Sequence, residues 1–153
     1  MPIKIKADLK KMKNYTKDVK EKYKIELQSG AAGYELIRII QDIIGKGISP
    51  VDGEGRFEKY SDSYRKDIKA GYYPSKKVSP VNMYLTGDMM GSLRFIEIDG
   101  KLYLQFEDKK ARWHDKGLGN LPVRKLLPTG RMERFNKRIT DLLVKALKKV
   151  LKK

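Results

Sequence analysis

The positions Leu9, Met12, Thr16, Val19, Tyr23 and Leu27 step by three or four along the chain, which predicts a helix from about Asp8, with Asp8 placed to cap it. Ile3 and Ile5, just upstream, predict a short extended entry. Gly30 and Gly33 then interrupt the helical pattern, each at a cost of about 1 kcal/mol relative to Ala in a helix interior. A second helical stretch follows, carrying Tyr34, Ile37, Ile40 and Ile44 with their neighbours Leu36, Ile39 and Ile43. It is apolar over more than half its circumference, so it is expected to be buried on several sides, by its own fold or by another subunit. Gly45 and Gly47 stop it.

The middle of the chain reads differently. ISPVDGEGRFEKY, with one Pro and two Gly, predicts a loop. A short helix is expected from Asp62 to Lys69, with Ser61 as N-cap, Gly71 as stop, and Tyr60, Tyr64 and Ile68 on one face. YYPSKKVSPVN carries two prolines and is expected to be irregular or extended. The sharpest local signal is SLRFIEI-DG-KLYLQFE. Asp99-Gly100 suits a type I′ turn, in which both central residues take positive φ. That turn pairs Ile98 with Lys101, Ile96 with Tyr103 and Phe95 with Leu104. One face then carries Leu93, Phe95, Leu102, Leu104 and Phe106. The other carries Arg94, Ile96, Ile98, Lys101, Tyr103 and Gln105, and is only partly polar. A sheet with two partly apolar faces calls for cover on both, one layer from the chain's own helices and the other from a neighbouring subunit.

ARWHDKGLGNLPVRKLLPTG after the hairpin reads as loop-rich. The chain closes on an amphipathic helix expected over 129–153, with Thr129 as N-cap and a stripe of Met132, Phe135, Ile139, Leu142, Leu143, Ala146, Leu147, Val150 and Leu151. The expected fold class is α+β: an antiparallel sheet with a central hairpin, packed by a long N-terminal helical region and a C-terminal amphipathic helix. A single domain over 1–153 is expected, divided into an N-terminal helical region (1–47), a loop, short-helix and hairpin region (48–128), and the C-terminal helix (129–153).

Composition narrows the function classes. The 153 residues suffice for one modest core, with 40% hydrophobic and 35% charged residues. No apolar run approaches the roughly 20 residues that span a bilayer, and no secretory signal is read at the N-terminus. Without cysteine there is no disulfide or thiolate site, and with a single histidine, His114, the usual zinc sites have no ligand set. No metal or other cofactor is expected. Ser75, Ser79 and Ser92 lie in no nucleophile pattern, and adjacency in Trp113-His114-Asp115 is not a catalytic geometry, so no catalytic residue is assigned and the chain is read as a non-enzyme. Asp52, Glu54 and Glu58 lack the spacing of a calcium loop.

The formal net charge of +16 attracts polyanions without choosing among them. From Lys109 to Lys153 fifteen Lys and Arg face only Asp115, Glu133 and Asp141, so much of the excess sits in the C-terminal third. For the last helix, core or subunit packing is favoured over polyanion contact, and both over a membrane surface. Lys145, Lys148, Lys149, Lys152 and Lys153 are the residues placed to meet DNA or an acidic partner.

Two strings, SPVDGEGRFEKYSDSYRKDIK (49–69) and SPVNMYLTGDMMGSL (79–93), lead into the hairpin. Ala111, His114 and Gly117 follow, then Pro122, Arg124, Leu126, Leu127 and Pro128, and a closing helix. This order, over residues 49–150, resembles tailed-bacteriophage neck and tail-completion proteins of virion morphogenesis. The long N-terminal helical region and the high charge depart from that pattern. The resemblance implies a small α+β structural protein, without catalysis, that forms a homo-oligomeric ring, often a hexamer, between the portal-side connector and the tail tube. It implies location in the virion, with assembly in the host cytoplasm. Partners would be copies of itself, other neck, connector or tail-tube proteins, and DNA passing through the channel, with no membrane. On that reading Ile96, Ile98 and Tyr103 are expected at subunit or interlayer contacts. Trp113, His114 and Leu118 belong to a docking loop over Trp113–Gly119, and Leu121–Pro128 braces the last helix. The competing reading is a stand-alone basic nucleic-acid-binding protein.

Overall fold

The computed structural model describes residues 9–84 and 86–152, with side chains from Lys13 onward. The expected entry at Ile3 and Ile5, the Asp8 cap and Lys153 lie outside the described residues. Two helices open the fold, α1 (Leu9–Gln28) and α2 (Ala31–Gly45). They are joined by Ser29 and Gly30, while Gly33 lies inside α2 and does not break it. Gly33 serves another purpose. A Cβ there would fall 1.8 Å from the Leu27 carbonyl oxygen, so only glycine lets α2 approach the end of α1 this closely.

The apolar excess of α2 is used in the chain's own core. Leu36, Ile39, Ile40, Ile43 and Ile44 are all buried, while Tyr34 stays exposed. Next comes the short helix α3 (Asp62–Lys69), where the Ser61 hydroxyl accepts the Tyr64 N–H and Gly71 turns the chain out at φ +85°. A single turn, α4 (Asp88–Gly91), not expected from the pattern, leads into strands β1 (Leu93–Ile98) and β2 (Lys101–Phe106). Asp99 and Gly100 take φ of +50° and +72°, and the register pairs Ile98 with Lys101, Ile96 with Tyr103 and Phe95 with Leu104. The architecture is thus α+β, with one two-stranded antiparallel sheet among the described residues.

The inner hairpin face, with Leu93 buried and Phe95, Leu104 and Phe106 half-buried, packs on a cluster that runs from Leu36 through Ile68, Met90 and Leu126 to Ile139. Glu97 shares that face and reaches back to α1, where its carboxylate meets the buried Lys24 ammonium at 2.6 Å. The last helix, α6 (Lys137–Leu151), packs against α1 and α2. Tyr23 donates to the Leu143 carbonyl at 3.0 Å, and Lys149 pairs with Glu26 at 3.1 Å, both joining α1 to α6.

Two expectations need correction. The final helix does not begin at Thr129. Its N-cap is Asn136, whose side chain accepts the Ile139 N–H at 3.2 Å. Residues 129–135 form a turn held by the Glu133 carboxylate, which accepts both the Thr129 and Gly130 N–H groups at 2.8 Å, and Phe135 bridges to Val51. Met132, at the head of the expected stripe, is 84% exposed. The segment after the hairpin is also not all loop. It contains α5 (Lys109–Lys116), capped by Asp108 and ended by Gly117 in the left-handed region, followed by a 3-10 turn over Leu118–Asn120. The supposed docking loop Trp113–Gly119 is therefore the last turn of a helix and its exit. Asp-x-Lys at the start and Gly at the end are ordinary helix boundaries, outweighed in the sequence by the density of glycines around them.

Candidate functional site

The residues expected at interfaces fall in two places. Ile96 and Tyr103 stand opposite each other on the outer hairpin face, beside Ile98. Ile98 and Tyr103 are 47% and 45% exposed, and Ile96 is half-buried. Trp113 and His114, by contrast, line a cleft of about 830 Å³ that also takes in α3, the segment around Lys76, Thr86–Gly87, and Leu121–Arg124. Leu118 is exposed and is not part of its lining. On α6 and at its C-cap, Lys145, Lys148 and Lys152 are exposed, whereas Lys149 is drawn onto Glu26.

The cleft is built from the bottom by Arg124. From Val123 to Leu126 burial alternates, with Arg124 and Leu126 buried and Val123 exposed. Arg124 is 2% exposed. Its backbone N–H donates to the His114 carbonyl at 2.8 Å, and its Nη2 donates to the Glu58 carbonyl at 3.1 Å. The guanidinium lies 5.4 Å from the Tyr60 ring centroid. Its Nε has no hydrogen-bond partner among the described residues, and neither has Nδ1 of His114.

Above this floor Lys76 sits 5.2 Å from the Tyr60 ring centroid and 6.0 Å from that of Tyr64, and the two rings meet edge-on at 5.1 Å. Cation–π contacts of this kind hold an ammonium without neutralising it. Charge in the site is unbalanced. Lys59, Arg65, Lys76, Lys110 and Arg124 line the cleft against Glu58 and Asp62, and Asp62 is engaged by Arg65 at 3.1 Å. Titration behaviour follows from this crowding. Burial, then Arg124, brings the Lys76 ammonium down to about 8. Burial, then Arg124 and Lys76, brings His114 down to about 4, so it is neutral at pH 7. Burial pushes the Tyr60 hydroxyl up to about 12.

Arg124, Lys76 and Tyr60 were not singled out as site residues from the sequence. The sequence signals for Arg124 are its place between Pro122 and Pro128 in the string that carries the resemblance and its two-residue offset from Leu126, and nothing in the sequence places Lys76 beside it. Ala111, Leu126 and Leu127, from the segment that carries the family resemblance, are buried in the core, and Gly117 takes φ +64° where α5 ends. Comparison with protein-family models, curated proteins and solved structures found no match to this chain. No helix among the described residues is long and apolar enough to cross a membrane, and no group of three His, Asp or Glu residues gathers there to hold a metal ion.

Proposed function

We propose that this chain is a structural, non-catalytic subunit of a tailed-phage virion, forming a ring at the head–tail neck or the head-proximal end of the tail. The observation that carries the reading is the unequal cover of the hairpin. Its inner face packs on the helices, while the outer face leaves Ile98 and Tyr103 nearly half exposed and Ile96 only partly covered. An apolar cross-strand patch on a short, two-edged hairpin is costly in an isolated monomer and useful in an assembly. The order of motifs over residues 49–150 supports the phage assignment. In such a ring the outer hairpin face meets a neighbouring copy or layer, and neck, connector or tail-tube proteins bind the ring above and below.

A second reading is supported by α6. Lys145, Lys148 and Lys152 are exposed and, unlike Lys149, make no ion pair among the described residues, as befits a surface facing phosphate. In the ring, these lysines would face DNA in the channel or an acidic partner. As a stand-alone nucleic-acid-binding protein, the isolated chain would bind DNA tightly and with steep salt dependence.

Imaging of purified particles carrying the labelled chain tests the first reading. Label at the head–tail junction is the expected result. Label at the distal tail tip removes the neck assignment, and absence from particles removes the virion class. The paired substitution Ile96→Asp with Tyr103→Ser is expected to block assembly of the chain, read by sedimentation. Normal assembly of that variant would exclude the hairpin face as the contact.

A further inference from the structure

We propose that the Arg124 cleft is a binding site for a carboxylate borne on an apolar or aromatic body. The inference does not depend on ring formation and holds for the chain in any assembly state.

Three features lead to it. The first is an uncommitted donor on a buried cation. Arg124 is nearly fully covered, and its guanidinium is only partly used: Nη2 is taken by the Glu58 carbonyl, one face lies toward Tyr60, and Nε is left over. Buried guanidinium groups ordinarily find a carboxylate, because an unpaired cation in a low-dielectric site is costly. Among the described residues no carboxylate is within salt-bridge distance of Arg124.

The second is a second cation in the same site without an acid. Lys76 shares the Tyr60 ring with Arg124 and the two repel; burial first, and then this neighbour, make its ammonium release its proton more readily than a free lysine. An anion seated between them would relieve that repulsion and satisfy both. The five cations against two carboxylates around the cleft draw an anion in from solution.

The third is the shape of what remains. The unpartnered Nε of Arg124 and the Lys76 ammonium offer one donor each to the two oxygens of a planar carboxylate. Tyr60, Tyr64, Met89 and Trp113 offer the apolar surface that a stem beside the anion would cover. A free acid and an acidic side chain of a peptide present this same chemistry.

Trp113 is the only tryptophan of the chain and lines the cleft, so its indole N–H resonance reports occupancy directly. The full-length chain is titrated with benzoate, benzamide and inorganic phosphate. Benzoate is expected to shift the resonance saturably, with benzamide weaker by about tenfold or more, the factor that about 1.4 kcal/mol of lost ionic hydrogen bonding produces. Arg124→Lys and Lys76→Gln are each expected to weaken benzoate by a similar factor. Should Arg124→Lys not fold, Lys76→Gln, at a half-buried position, carries the test. A capped tripeptide Phe-Glu-Phe set against Phe-Gln-Phe then separates the sources. Tighter binding of the Glu peptide than of benzoate assigns the site to a protein partner, and the reverse order assigns it to a free acid. No saturable shift with benzoate, equal binding of benzoate and benzamide, or phosphate binding tighter than benzoate would each overturn the proposal.

Discussion

The backbone N–H of Arg124 donates to the carbonyl oxygen of His114 at 2.8 Å. This bond ties the last turn of α5 to the segment that follows the 3-10 turn, and it places the one histidine beside a buried guanidinium. His114 therefore stands where a proton is unwelcome, and its imidazole is held near a pKa of 4 by burial and by the neighbouring Arg124 and Lys76.

That environment sets an acid dependence. The unfolded chain takes up a proton on His114 as pH falls through about 6.5, whereas the folded chain refuses it until about 4. Stability contributed by the neutral imidazole is therefore complete above 6.5 and is lost progressively between 6.5 and 4. Thermal unfolding across that range is expected to show a falling Tm in the wild type and a flatter profile in His114→Gln. Parallel profiles would mean that His114 does not feel Arg124 as the geometry indicates.

Glu133 works in a lower window and in the usual carboxylate direction. The Gly130 and Thr129 N–H groups, together with Lys125, bring its carboxyl down to about 2. Its contribution is present above about 4.5 and disappears as pH falls toward 2. Glu133→Gln is expected to lower Tm at pH 7, and the gap to the wild type should close between pH 4.5 and 2. A gap that persists at pH 2 would point to packing, not charge, as the role of Glu133.

The close passage of α1 and α2 makes Gly33 intolerant. Gly33→Ala puts a methyl into the Leu27 carbonyl and is expected to cost about 1–3 kcal/mol, the range of overpacked sites. Gly45→Ala, with open space around the new Cβ, is the matched control and is expected to be neutral or to stabilise by about 0.5–1 kcal/mol. Urea unfolding of the two variants compares them directly. Equal effects would show that the α1–α2 contact is looser than its geometry.

The true start of the last helix is also open to measurement. Asn136→Ala removes the cap on the Ile139 N–H and is expected to cost about 1 kcal/mol. Thr129→Ala keeps the backbone bond to Glu133 and loses only an exposed 3.3 Å contact with Asp115, so it is expected to change stability by less than about 0.5 kcal/mol. The reverse order in urea unfolding would restore the earlier helix start.

What the sequence determined by itself are the features decided within a few residues. Asp99-Gly100 imposes positive φ on two adjacent residues and thereby the hairpin register. Ser61 and Gly71 bound α3 through a cap and a left-handed stop. The continuous apolar surface of α2 requires burial wherever it lies. Tertiary structure decided the rest. The stripe Met132, Phe135, Ile139 has helical spacing, yet Phe135 is taken by a bridge to Val51 and the Asn136 N–H by the Pro50 carbonyl, so the helix begins about two turns later. The cleft is decided the same way. Tyr60, Lys76, His114 and Arg124 come from four separate stretches, and only chain packing brings two cations over one tyrosine ring. Local rules act through dihedral angles and neighbouring hydrogen bonds, whereas these contacts exist only once distant segments share a surface.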